Sequence, residues 1–106
     1  MKSYSGQRRC GVPLVLVHRD DGARVLADPA AGRSPGEPFD WGSPRTGTRR
    51  LASALAVDLL EVDPPATAIV AALERIVLTL PNEWRVSAAD LIETIGQAQL
   101  QQRVSA

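Results

Sequence analysis

The sequence predicts an α+β fold in which an N-terminal β-hairpin, with room for a short third strand, packs on three helices. A β-branched run followed by an Asp-Gly turn and a second apolar run is typical of a hairpin. Leucines spaced four residues apart in the middle of the chain indicate an amphipathic helix. A chain of 106 residues has the size of one small domain, so residues 1–106 are expected to form a single unit.

The predicted hairpin covers residues 12–28. Residues 1–11 begin polar and are expected to fray, although Tyr4 could anchor them. Val12 to His18 has the length and composition of a strand, and Asp20-Asp21-Gly22 favours a tight turn. Arg24 to Asp28 is the returning strand. Because two strands alone are only marginally stable in water, other elements must cover their apolar face.

A Pro- and Gly-rich loop follows at residues 29–47 and lacks hydrophobic periodicity. Loops of this length are uncommon in compact domains unless they are functional or disordered. The second half contains Phe39 and Trp41, two of only four aromatic residues in the chain. Since large rings bury more apolar area than other side chains, we expect both to pin this half onto the body of the protein. Residues 30–37 are expected to be the mobile half.

The first helix is predicted over residues 48–61. Its apolar residues recur every four positions and form one stripe that allows close packing: Leu51, Leu55 and Leu59, with Ala52 and Ala56 beside them. Thr46 or Thr48 is expected to cap its N-terminus, since a threonine hydroxyl can accept from the first free amides.

Two more helices and a brief strand are predicted beyond it. The second helix is expected to start at Pro64-Pro65 behind an Asp63 cap and to bury Ile69, Leu73, Ile76 and Leu80. Trp84 to Val86 has the character of a short strand. Ser87 is expected to cap a third helix with a core face of Leu91, Ile92 and Ile95. Residues beyond Gly96 have little apolar support and are expected to fray.

Charge is balanced overall, with twelve basic and twelve acidic residues, so no global field attracts nucleic acid or a membrane. Residues 1–50 carry nine basic and five acidic residues, and residues 51–106 carry three and seven. This division favours pairing within the molecule at least as much as binding of a partner. The single Cys10 excludes an internal disulfide. Together with the lack of a secretory leader or an apolar run of membrane-spanning length, it leads us to expect a cytoplasmic protein without membrane association.

Candidate catalytic residues are sparse. His18 is the only histidine and is expected to be solvated, so a two-histidine metal site or a Ser-His-Asp relay has little to be built from. The aspartates that could cluster lie at predicted turns and caps: Asp20, Asp21, Asp28, Asp40 and Asp58. Gly42 to Thr48 has the spacing of a phosphate-binding loop, but Thr48 stands where that loop requires lysine. We therefore expect no enzyme activity, metal or cofactor.

Arginines at the start of the first predicted helix form the candidate binding site. Arg45, Arg49 and Arg50 surround a helix N-terminus, which favours an anion and disfavours cations. An acidic protein, nucleic-acid phosphate or the acidic C-terminal half could each supply the missing negative charge. Arg33 and Trp41 complete the predicted contact set, because loops on a rigid scaffold carry binding residues and Trp and Arg are enriched at binding hot spots.

Several short motifs span most of the chain: Tyr4-x-Gly6-x-Arg8, Phe39-Asp40-Trp41-Gly42, Gly47, Leu51-Ala52-x-Ala54-Leu55 and Leu80-Pro81-x-x-Trp84. Together they resemble a family of small, uncharacterised bacterial and phage proteins with a Y-x-G-x-R start, an F-E-W-G-Y-G-G-S-G-P-x-x-L-A core and an L-P-x-x-x-W end. Ser43, Pro44 and Arg45 depart from the Tyr-Gly-Gly of that core. The resemblance implies a mobile-element setting and assigns no activity.

Two functions fit these observations. The first is a non-catalytic protein-interaction module, carried by a phage or mobile element, that binds a host protein, for example as an inhibitor of a defence system. The alternative is a small nucleic-acid-binding accessory protein that uses the arginines Arg8, Arg9, Arg45, Arg49 and Arg50. Zero net charge and the lack of a recognition-helix signature count against the alternative.

Overall fold

The computed structural model describes residues 2–28 and 38–105, with side chains described as far as Gln97. Four antiparallel strands and three helices confirm the predicted α+β class. In chain order the elements are β1 (Ser3–Arg9), β2 (Val12–Arg19), β3 (Gly22–Val25), α1 (Thr46–Leu60), α2 (Thr67–Val77), β4 (Trp84–Ser87) and α3 (Ala88–Ser105). The strands are ordered β3-β2-β1-β4 across the sheet. The expected mobile half of the loop, residues 30–37, lies outside the described residues.

The expectation that residues 1–11 fray is wrong for Ser3–Arg9, because β1 is an inner strand paired with β2 on one side and β4 on the other. Alternate side chains of a strand point to opposite faces of the sheet. Tyr4 and Gly6 are buried on the face toward the helices, and the Tyr4 hydroxyl donates to Asp58 Oδ2 at 2.7 Å. The alternation uses small and polar residues with one aromatic ring, so hydrophobic periodicity did not reveal it.

The predicted hairpin over residues 12–28 is present as β2 and β3, joined at Asp20 and Asp21, although β3 is only four residues long. Leu26 leaves the ladder of β3 but remains 3% exposed, and its N–H donates to the Val15 carbonyl at 2.9 Å. The same register divides the sheet into two faces. The inner face carries Tyr4, Gly6, Val15, Val17 and Trp84, and the outer face carries Ser5, Leu14, Leu16, Val25 and Arg85.

α1 begins at Thr46, two residues earlier than predicted, and its N-cap residue is Arg45 without a side-chain cap. Neither Thr46 nor Thr48, the two predicted caps, caps the helix. The Thr48 hydroxyl instead donates to the preceding Ser43 carbonyl at 2.5 Å. Gly47 is buried so tightly against the preceding loop that a Cβ would overlap the Pro38 carbonyl oxygen. The residues before α1 therefore pack directly on its first turn.

α2 begins at Thr67 with Ala66 as its N-cap residue, so the predicted start at Pro64-Pro65 with an Asp63 cap is wrong. A residue that precedes proline is disfavoured from the helical conformation, and two successive prolines impose this on both Asp63 and Pro64. The helix ends at Val77, and Leu80, predicted on its inner face, packs partly buried against the core from the following turn.

β4 and the start of α3 agree with the sequence. The Asp90 N–H donates to Ser87 Oγ at 3.1 Å, which confirms the predicted cap. Leu91 and Ile95 are buried, but Ile92 is 52% exposed, so its predicted place in the core is wrong. The helix also continues past Gly96 to Ser105, where fraying was predicted; residues 97–103 are all glutamine, alanine, leucine or arginine, which are good helix formers.

The core lies between the inner face of the sheet and the helices. Trp41, 1% exposed, meets Trp84 edge to face, with ring centroids 5.7 Å apart and planes at 84°, an arrangement that aromatic pairs favour. Leu51, Leu55, Leu73 and Leu91 belong to the same buried cluster, and Phe39 packs against it partly buried. The prediction that Phe39 and Trp41 pin the loop onto the body of the protein is confirmed, and the ring contacts of Trp41 are with Trp84 of β4 and Arg8 of β1.

Candidate functional site

A cleft of about 950 Å³ opens beside the N-terminal half of α1, and we call it the arginine cleft. One wall is formed by α1 and the residues before it, and the other by residues 63–65 and by Thr67, Val70 and Glu74 of α2. Three of the predicted binding residues, Arg45, Arg49 and Arg50, line it. The structure thus brings together the arginines that the sequence placed at one helix end.

Arg50 is paired inward. Its Nη2 and Nε donate to Asp28 Oδ2 at 2.6 and 3.0 Å, and the two side chains are only 11% and 17% exposed. A charge-assisted pair held by two hydrogen bonds fixes both partners. Of the alternatives left open by the sequence, internal pairing therefore applies to Arg50, which anchors the segment after β3 to α1.

Arg45 and Arg49 face outward on the same wall. The Arg45 side chain is 71% exposed, and its closest acidic contact is Asp40 Oδ2 at 3.7 Å. Arg49 is exposed and forms no ion pair within the described part of the chain. No acidic residue lies in the first turn of α1, so the positive end of the helix dipole adds to both charges. This wall favours an anionic group from outside the molecule.

The opposite wall differs in character. Asp63 and Glu74 carry negative charge there, while Pro44, Pro64, Pro65 and Val70 supply apolar surface. A cleft with one basic wall, one acidic wall and apolar surface suits an extended peptide segment better than a single small ion. Among residues 2–28 and 38–105, no group of three or more His, Cys, Asp or Glu side chains is placed to hold a metal.

Trp41 does not belong to this surface. Its ring is 1% exposed, so the prediction that it contacts a partner is corrected: it supports the loop from inside the core. The Arg8 guanidinium lies 4.4 Å from the centre of that ring and donates through Nη2 to Asp40 Oδ1 at 2.7 Å and to the Trp41 carbonyl at 2.9 Å. Arg33, the remaining predicted contact residue, lies outside the described residues.

Asp40 is a structural anion. Burial opposes its ionisation, but hydrogen bonds from Arg8 and the Trp41 N–H, with the charges of Arg8 and Arg45, outweigh that effect and lower the pKa of Asp40. A carboxyl held ionised in this way is not a general acid at neutral pH. Because Arg8 and Arg50 are both committed to internal carboxylates, the arginine set proposed for nucleic acid loses two of its five members.

The motifs behind the family resemblance meet inside the fold. Gly6 lies against the Trp84 indole, where a Cβ would overlap the ring. Arg8 stacks on Trp41, and the Gly42 N–H donates to the Val77 carbonyl at 3.0 Å, with Gly42 at a φ of 81° that suits glycine. These residues hold β1, the loop and the helices together, so the motifs describe the fold more than a site.

One contact was missed from the sequence. His18 is not simply solvated: its Nε2 lies 2.6 Å from Ser5 Oγ on the outer face of the sheet. Within the described residues, no carboxylate is hydrogen-bonded to His18, so the pair lacks the third member of a catalytic relay. The pairing of the inner strands β1 and β2 produces this contact. A sequence prediction that treats residues 1–11 as frayed cannot reveal it.

No helix in the described part of the chain is long and apolar enough to cross a membrane. Comparisons with protein-family models, curated proteins and solved structures returned no match to this chain. The function is therefore argued from the geometry of the arginine cleft.

Proposed function

We propose that this chain is a non-catalytic protein-interaction module that binds an acidic segment of a partner protein in the arginine cleft. The observation that carries the proposal is the exposed pair Arg45 and Arg49 on a wall where the helix dipole adds to their charge. Arg50 and Asp28 tie the helix that carries this wall to the segment after β3. Arginine is one of the residue types enriched at binding hot spots, and a helix backbone fixed beneath the two side chains lowers the entropy cost of binding.

The wider setting is part of the same proposal. The family resemblance supports an origin in a phage or mobile element, and a cytoplasmic host protein, such as a component of a defence system, is the class of partner that we propose. The cleft supports a protein over nucleic acid because Pro44, Pro64, Pro65 and Val70 give it apolar surface, which suits the side chains of a peptide and offers nothing to a phosphate backbone.

Site-specific photo-crosslinking in host cells tests this proposal. A benzophenone amino acid in place of Thr67, an exposed residue that lines the cleft, is expected to capture a host protein that mass spectrometry identifies. The double variant Arg45→Glu, Arg49→Glu should reduce capture by about tenfold or more, since hot-spot losses exceed about 1.4 kcal/mol. Its melting temperature should fall only slightly, because the ion pair that it loses within the described residues is the exposed 3.7 Å contact of Arg45 with Asp40.

The double variant Arg24→Glu, Arg75→Glu is the matched control, because it reverses the same number of charges outside the cleft. Arg24 is 80% exposed on β3, where it contacts exposed Asp21 at 3.6 Å, and Arg75 is exposed on α2 and does not line the cleft. Equal capture by the two double variants would overturn the proposal. A shift of DNA or RNA at low salt that disappears in the double variant would support the nucleic-acid alternative in its place.

A further inference from the structure

Strand β2 is apolar on both faces. Val15 and Val17 point into the core, and Leu14 and Leu16 point to the outer face of the sheet. A strand that carries large aliphatic residues on both faces is typical of a sheet that is covered on both sides. The helices of this chain cover the inner face, and the burial of the outer face is incomplete.

The outer aliphatic residues form one continuous surface. Leu16 pairs with Val25 of β3, while Leu14 and Val12 continue the row along β2. Directly paired and successive same-face residues of a sheet lie close enough for their side chains to touch. Val12 is 64% exposed and Val25 is 67% exposed, and the two leucines are partly exposed. We call Val12, Leu14, Leu16 and Val25 the outer strip.

The rim of the outer strip is basic. The four strands contain five arginines and no aspartate or glutamate. Two of them project on the outer face by the strand register: Arg9 is paired with Val12, and Arg85 lies opposite Ser5. Carboxylates lie only beyond the strand ends: Glu83 is two residues before Arg85, Asp28 is three residues after Val25, and Asp20 and Asp21 lie at the β2–β3 turn, where Asp21 contacts Arg24 at 3.6 Å.

We propose that the outer strip docks an amphipathic helix of a partner protein, with leucine-like residues on the strip and glutamate or aspartate beside Arg9 and Arg85. Such a helix would give the sheet a covered second face and would pair both rim arginines. A second copy of this chain fits less well, because it would bring an identical basic rim against the first. The outer strip lies across the sheet from the helices that line the arginine cleft, so it is a second surface beyond the proposed function.

A synthetic peptide provides the test with the full-length protein. The probe is a fluorescent, N-acetylated helix of roughly 18 residues with a leucine stripe flanked by glutamates, a length that retains helicity. One matched peptide has lysine in place of glutamate, and another has the same composition in an order without a stripe. We expect the glutamate peptide alone to bind, with methyl NMR shifts at Val12, Leu14, Leu16 and Val25.

Two double variants separate the apolar and charge contributions. Val12→Lys with Val25→Lys removes apolar contacts and keeps the basic rim, and Arg9→Glu with Arg85→Glu reverses the rim and keeps the strip. Each should weaken peptide binding by about tenfold, whereas Arg75→Glu, an exposed arginine on α2, should not. All three alter exposed residues, so unchanged melting temperatures are expected.

Four results would overturn the inference: no binding at about 1 mM peptide, equal binding of the lysine peptide, shifts confined to the arginine cleft, or a dimer in sedimentation experiments that Val12→Lys with Val25→Lys abolishes. The last would assign the strip to self-association. None of these results depends on the crosslinking at Thr67, so the two proposals fail separately.

Discussion

Arg8 stacks on Trp41 at 4.4 Å and at the same time donates to the Trp41 carbonyl and to the neighbouring Asp40 carboxylate. One side chain on β1 thereby holds both the ring and the backbone of the loop that precedes α1. Cation–π stacking and a charge-assisted hydrogen bond from one guanidinium require its planar shape as well as its charge.

Arg8→Lys should therefore destabilise the protein although it preserves charge. Lysine cannot stack and donate to both acceptors at once, and we expect a loss of about 1–2 kcal/mol in the free energy of unfolding. Thermal denaturation should show a fall of about 5–10 °C in melting temperature. Arg9→Lys, the exposed neighbour, is the control and should leave it unchanged; equal effects would show that stacking on Trp41 contributes nothing.

Two glycine substitutions should change the free energy of unfolding in opposite directions. Gly6→Ala places a Cβ inside the Trp84 indole, and such overpacking costs about 1–3 kcal/mol. Gly96→Ala lies within α3, where a Cβ meets no atom within 4 Å, and should stabilise by up to about 1 kcal/mol because alanine is the better helix former. Urea denaturation of both variants checks this, and a stable Gly6→Ala protein would exclude the close approach of β1 to Trp84.

Adjacent arginines at the cleft should respond differently to charge reversal. Arg50→Glu breaks a nearly buried pair and sets two carboxylates against each other at Asp28, so we expect a loss of about 3–5 kcal/mol. Arg49→Glu should change stability by less than about 0.5 kcal/mol, since an acidic residue suits the first turns of a helix. Adding Asp28→Arg to Arg50→Glu should recover part of the loss, and the absence of any recovery would count against the pair.

Acid sensitivity should depend on Asp58. Burial alone would raise its pKa, but hydrogen bonds from Lys2 and Tyr4 and the charges of Lys2 and Arg19 lower the pKa of Asp58 in the folded state. Because the folded pKa lies below the unfolded value, the stabilisation is complete above about pH 4 and is lost as the pH falls through the folded pKa.

Asp58→Asn should accordingly lower the melting temperature at pH 7 and flatten its decline between about pH 5 and pH 2. Asp21→Asn, where the side chain is 69% exposed, provides the comparison and should follow the wild-type curve. Parallel curves for the wild type and Asp58→Asn would show that the carboxylate does not titrate with folding.

The sequence predicted the elements that depend on dense local signals. The leucine stripe of α1, the Asp-Gly hairpin and the anchoring of the loop by Phe39 and Trp41 all follow from local spacing or ring size. β1 was missed because two of its three inward residues are a glycine and an arginine, which contribute no apolar periodicity. In retrospect, the period of two in Tyr4-x-Gly6-x-Arg8 was the available signal.

The sequence located the region of the candidate site, but it could not show which of its arginines face outward and which pair within the fold. Arg49 and Arg50 are adjacent on α1 and point about 100° apart, so one faces outward and the other pairs with Asp28. That pairing depends on how the chain after β3 returns to α1, which no local pattern encodes. The aliphatic run of β2 is the sequence signal for the outer strip. An ordinary strand can have the same run, so the sequence alone does not reveal the strip.

The strand order has a consequence for synthesis on the ribosome. β1, β2 and β3 are made first, but the second neighbour of β1 is β4, which follows α1 and α2 in the chain. Translation proceeds at about 5–20 residues per second. The core-facing side of the nascent hairpins therefore stays uncovered for several seconds, until β4 has been synthesised. Tyr4 and Val15 are then available to chaperones until Trp84 arrives to close the sheet.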